Sequence, residues 1–84
     1  MKNLENEPLH PGEEIKKIIK EKDIKQVDLA LQTGINNSML NGILKCKRSL
    51  TAKTAVTISR VLDIDPVDLM DIQTRYDIYK VENS

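Results

Sequence analysis

An all-α fold of five helices, organised around a helix-turn-helix, is what this 84-residue sequence predicts, and three observations predict it. Apolar residues recur at helical spacing on both sides of Gly34: Val27, Ala30 and Leu31 before it, Leu40, Ile43 and Leu44 after it. Helix-start signals recur along the chain, at Pro11, Asn36, Thr51 and Asp65-Pro66. A basic cluster, Lys45, Lys47 and Arg48, follows the second half of the helix-turn-helix, where phosphate contact is expected.

Residues 1–9 are polar and aperiodic and are expected to form a flexible arm. The first helix should start at Pro11, since proline's missing N–H is no loss at a first helical position and Glu13 and Glu14 favour the positive end of the dipole. Its buried stripe is Ile15, Ile18 and Ile19, with Lys16, Lys17, Lys20 and Lys22 in water. The second helix should cover residues 26–33 and end at Gly34, which adopts positive φ without a Cβ penalty.

Asn36 then caps a third helix running from about Asn37 to Lys45. Thr51 caps a fourth, from about Ala52 to Leu62, which would cover the others through Ala55, Ile58 and Leu62. The fifth helix, from Asp65-Pro66 to about Tyr76, carries Leu69, Ile72 and Tyr76 on its apolar face. Residues 77–84 alternate without a helical period, which leaves room for a short extended strand. The domain proper is therefore 10–76, with an arm at 1–9 and a tail at 77–84.

So short a chain buries only about 60 to 65% of its unfolded surface, and a dimer interface would add to a modest core. Leu69, Ile72 and Tyr76 are the candidates for that interface. No apolar run approaches the roughly 18 residues of a membrane span, and the charged start lacks the apolar core of a secretion signal, so a cytoplasmic protein without membrane contact is expected. One cysteine, Cys46, and one histidine, His10, provide neither a disulfide nor a metal set, and no cofactor is implied. His10 is expected at an exposed helix start in a capping or packing role.

Net charge is zero, but the charges are sorted. Residues 1–24 carry five basic and six acidic side chains, residues 25–60 six and one, and residues 61–84 two and six. The helix-turn-helix is thus the basic part, and the acidic C-terminal third should face away from DNA. The carboxylate pairs Glu13/Glu14 and Asp68/Asp71 are explained by helix-start dipole and capping roles, so catalysis is not expected. Phe and Trp are absent, which argues against a single-strand binder that stacks bases.

For direct readout of bases the candidates are Asn37, Ser38 and Asn41, because Asn pairs bidentately with adenine and Ser meets several base edges. For phosphate they are Gln26, Asn36, Lys45, Lys47 and Arg48, with Lys53 a weaker one. Each has a plainer reading as a solvated side chain; Asn36 is foremost a cap, and Met39 is expected to pack between helices.

The sequence resembles the HigA-type antitoxins within the phage-repressor (Xre-like) helix-turn-helix group, over roughly residues 9–78. The likeness runs through His10-Pro11-Gly12-Glu13, Gln26, Asp28, Leu29, Ala30, Gly34-Ile35, Leu40-Asn41, Ile43-Leu44, Lys47-Arg48, Thr51-Ala52, Thr54-Ala55, Gln73 and Arg75-Tyr76-Asp77. The central part marks the broad group, and the two flanks narrow it to the antitoxins. This resemblance implies a homodimer that binds operator DNA, represses its own operon and neutralises a small basic toxin, a RelE-like ribosome-dependent mRNA endonuclease. Charge complementarity then points to the acidic C-terminal third or the N-terminal arm as the toxin contact.

Two residues depart from the family pattern. Gly42 stands where a polar or acidic side chain is common, which lowers helix stability by roughly 1 kcal/mol relative to Ala and predicts weaker DNA contact. Cys46 stands where a glycine is usual, which predicts a different backbone conformation in that turn. The competing readings are a stand-alone phage-type regulator and a protein-binding antitoxin whose DNA contact is weakened.

Overall fold

The computed structural model describes residues 8–84, so most of the 1–9 arm lies outside the described residues. Five helices follow one another: α1 (Pro11–Glu21), α2 (Gln26–Thr33), α3 (Asn37–Leu44), α4 (Ala52–Leu62) and α5 (Pro66–Glu82). Among the described residues there is no strand.

Four helix starts are closed by a side chain that accepts a first-turn N–H: His10 from Gly12, Asn36 from Ser38 and Met39, Thr51 from Thr54 and Asp65 from Val67. Each satisfies donors that the helix itself cannot. Gly34 ends α2 in the left-handed region at φ 73°, with its N–H on the Ala30 carbonyl at 2.9 Å.

The core is formed by Ile15 and Ile19 of α1, Leu29 and Ala30 of α2, Leu40, Ile43 and Leu44 of α3, Leu50, then Ala55, Ile58 and Leu62 of α4 and Leu69 of α5. Ile18 and Ile24 pack partly buried at its edge. α3 lies between α1 and α2, while α5 closes over α4 and α1. The α1–α3 approach is so close that a Cβ on Gly12 would collide with the Ile43 carbonyl. Glycine is required there by packing, at a φ that any residue could adopt.

Four sequence expectations change in the fold. The inward face of α2 is Leu29 and Ala30, whereas Val27 is 54% and Leu31 76% exposed. A helix of eight residues has too few turns for spacing alone to fix its face. The tail at residues 77–82 is not extended: α5 continues through it to Glu82, with no glycine or proline between Tyr76 and Glu82 to stop it. Ile78 and Val81, three apart, share one exposed side of that helix.

Leu69 is the third. At 1% exposure within the single chain it is a core residue with no surface left to offer a partner, so it is withdrawn from the dimer interface. Ile72 and Tyr76 are half-buried. Gln73, by contrast, is buried: its Oε1 accepts the Leu50 N–H at 2.7 Å and its Nε2 donates to Asp77 Oδ1 at 2.8 Å.

His10 is also buried, at 3% exposure, and not at an exposed start. Its Nδ1 accepts the Gly12 N–H at 2.9 Å, and its ring meets Tyr76 edge-on with centroids 4.8 Å apart. Capping and packing are thus both its roles. Burial lowers its pKa from the usual 6.5, against the opposing pull of Glu13 and Asp77.

Candidate nucleic-acid interface

The inward residues of α3 are Leu40, Ile43 and Leu44, which leaves Ser38, Asn41, Gly42 and Lys45 toward the outer side by the 100° turn per residue. Asn36, Asn37 and Ser38 are exposed at its N-terminal end, and Asn41 is half-buried. Met39 is packed against the core, as its spacing predicts.

Gln26, the first residue of α2, joins this surface directly. Its Nε2 donates to Asn37 Oδ1 at 3.4 Å and to Asn41 Oδ1 at 3.3 Å, so three of the expected contact residues form one amide cluster across the α2–α3 corner. The cap residue of α2, Lys25, makes no side-chain cap bond, so among the described residues the first turn of this helix has no side-chain cap. A helix start of that kind, with an amide side chain and a lysine beside it, has the donors and the dipole to hold a phosphate.

On the far side of α3 the chain turns through Lys45, Cys46, Lys47 and Arg48. Cys46 sits at φ 63°, in the left-handed region, so the turn keeps the conformation that suits glycine, contrary to the expectation of a different one. The N–H groups of Lys47 and Arg48 both donate to the Gly42 carbonyl, at 2.8 and 3.1 Å, and hold it there. The Cys46 Sγ lies 3.9 Å from Glu13 Oε1 as a donor, and burial, with Glu13 second, raises its thiol pKa. Lys45, Lys47 and Arg48 are exposed, with Lys53 also exposed at the first turn of α4. Lys53 and Asn36 line one groove of about 380 Å³ with Thr51 and Thr57.

Sequence reasoning did not foresee the Gln26–Asn37–Asn41 cluster, which depends on the angle between two helices, or the seat of the Arg48 side chain beside Gly42. Among the described residues no group of three or more His, Cys, Asp or Glu side chains is placed to hold a metal ion. No described helix is long and apolar enough to cross a membrane.

Comparison with known proteins gives the same picture. Residues 14–75 match the profile of the Cro/C1-type HTH DNA-binding domain. The Pseudomonas aeruginosa antitoxin HigA, solved with the higBA promoter, is 27% identical over 88% of this chain and 82% of its own, with a TM-score of 0.82. An addiction module antidote protein of the HigA family from Coxiella burnetii is 29% identical over 84% of this chain and 78% of its own, with a TM-score of 0.74. The antitoxin GraA is 30% identical over 90% of this chain and 83% of its own, with a TM-score of 0.84. No curated protein sequence matches significantly. With the helix-turn-helix, its basic turn and these likenesses in place, the chain belongs to the Cro/C1-type helix-turn-helix DNA-binding family, and within it is similar to antitoxins of the HigA type.

Proposed function

We propose that this protein is a dimeric, cytoplasmic repressor that binds its own promoter and doubles as the antitoxin of a RelE-like mRNA endonuclease. The observation that carries the DNA part is the amide cluster of Gln26, Asn37 and Asn41 beside the uncapped start of α2, next to the basic turn. Asn37, Ser38 and Asn41 read bases, while Gln26, Asn36, Lys45, Lys47 and Arg48 contact phosphates. The promoter DNA carried by the Pseudomonas aeruginosa relative supports this reading.

Dimerisation belongs to the outer side of α5. Val67, Thr74, Ile78 and Val81 lie on the side of the helix away from Leu69 and Gln73, with Met70, half-buried against the core, at the edge of that side. Val67 and Ile78 are more than half exposed and Val81 76% exposed, an apolar stripe for which a second copy is a natural cover. Ile72 and Tyr76 flank the inward face and contribute at most the edge of such a contact.

The toxin contact falls to the acidic residues of the C-terminal third, because an mRNA-cleaving partner needs basic surface to hold RNA. Co-expression with a neighbouring small basic protein tests the antitoxin part. Rescue of growth and a complex that survives size exclusion at micromolar concentration support it, and separate elution with undiminished toxicity contradicts it.

A further inference from the structure

Gly42 leaves a gap on the outer side of α3, one turn after Ser38, and that gap is filled from outside the helix. A Cβ on Gly42 would stand 2.9 Å from Cδ of Arg48, 3.1 Å from its Cγ and 3.3 Å from its Nε. The aliphatic stem of Arg48 therefore lies over the helix at the place a side chain of residue 42 would occupy. Two backbone bonds fix the approach, since the N–H groups of Lys47 and Arg48 both end on the Gly42 carbonyl. The left-handed Cys46 supplies the reversal that brings them there. The contact residues Ser38 and Arg48 thus share one surface although they are ten positions apart.

We propose that Arg48 is a base-reading residue, which takes the place of the missing side chain at position 42 and recognises a guanine through its O6 and N7. This rests on the operator-binding reading above and goes beyond it by moving Arg48 from the phosphate contacts to the specificity-determining ones. Three physical features favour it. The guanidinium is a planar fork that matches the two acceptors of guanine in the major groove. Its stem is seated against α3, so fewer rotamers are lost on binding than for an arginine free in solvent. A glycine at residue 42 is what makes the seat, because any Cβ there would push the stem away.

The test is a titration of the wild-type chain and of Arg48→Lys, Arg48→Ala and Gly42→Ala against the promoter site carrying every single base-pair substitution. The wild type is expected to prefer guanine at one position of each half-site by about tenfold or more, within the range of one bidentate contact. Arg48→Lys keeps the charge and should keep the salt slope and the other preferences while losing this one. Gly42→Ala keeps the arginine but fills its seat, and should lose the same preference while its thermal midpoint rises or stays, which shows an intact fold.

An unchanged base profile in Arg48→Lys overturns the proposal, as does an Arg48→Ala variant that weakens all sequences alike and lowers the salt slope by about one, the mark of a phosphate contact. A wild type with no preference for the promoter over random duplex removes the operator-binding reading and this proposal together. A wild type that discriminates with a profile indifferent to Arg48 removes this proposal alone.

Discussion

The buried Oε1 of Gln73 accepts the main-chain N–H of Leu50 at 2.7 Å and so ties α5 to the segment that follows the basic turn. Leu50 is buried with it, so no water can replace the bond. Gln73→Ala should lower stability by about 2 to 3 kcal/mol, since it leaves a buried donor unpaired and opens a void. Asp77→Ala, which removes only the carboxylate that orients the amide from an exposed position, should cost well under half of that. Urea unfolding of the two variants gives both numbers, and equal losses would contradict the assignment.

His10 makes stability depend on pH. Its pKa is lowered in the folded chain by burial, so the neutral ring is the folded form, and that ring caps α1 through an unprotonated Nδ1. Above the unfolded value of about 6.5 both states carry neutral histidine and the contribution is complete. As pH falls from 6.5 through the lowered folded value, the unfolded chain takes up the proton first and stability declines. His10→Asn keeps a capping acceptor without titrating, so the difference between the two proteins should change between pH 7 and 5. A constant difference over that range would count against this role.

Ser59 is buried in α4, and its hydroxyl has no hydrogen-bond partner among the described residues. Ser59→Ala removes the unpaired oxygen, keeps the Cβ in place and adds helix propensity, so it should raise stability by about 1 kcal/mol. A drop in the thermal midpoint would mean that the hydroxyl is satisfied in solution.

The stripe on α5 gives a fourth expectation. Replacing Ile78 and Val81 together by Asp should leave a folded monomer, because both side chains are exposed in the single chain. Leu69→Ala should instead destabilise the fold by about 2 to 5 kcal/mol, as befits a core leucine. Sedimentation against helical content separates the two, and a double variant that sediments as a dimer would place the interface elsewhere.

Helix starts were legible in the sequence because each is decided within four residues: Pro11, Asn36, Thr51 and Asp65-Pro66 act on their own first turns. What sequence could not resolve depends on tertiary geometry. Val27, Ala30 and Leu31 have the spacing of a buried stripe, and only packing against α3 and α4 keeps Ala30 inward and sets Leu29 there in place of Val27 and Leu31. Ile78 to Val81 read as strand-like, yet the helix simply continues through them.

For the candidate site, the outward placement of Ser38 and Asn41 on α3 followed from its period, but Gln26, which bonds to Asn37 and Asn41, lies 11 and 15 positions away from them. Cys46 was misread for a different reason. A non-glycine residue in the left-handed region costs on the order of 1 kcal/mol, which the two bonds to the Gly42 carbonyl offset without leaving a mark on composition.

The most direct measurement is a titration of labelled promoter DNA against random duplex at several salt concentrations. The proposed dimer, with this amide cluster and basic turn, should prefer the promoter at sub-micromolar concentration, on half-sites about one or two helical turns apart. Its affinity should fall with salt at about −0.9 per neutralised phosphate on a log-log scale. Equal affinity for the two duplexes at low micromolar protein and low salt would contradict the reading of α3 and its basic turn as an operator-binding surface.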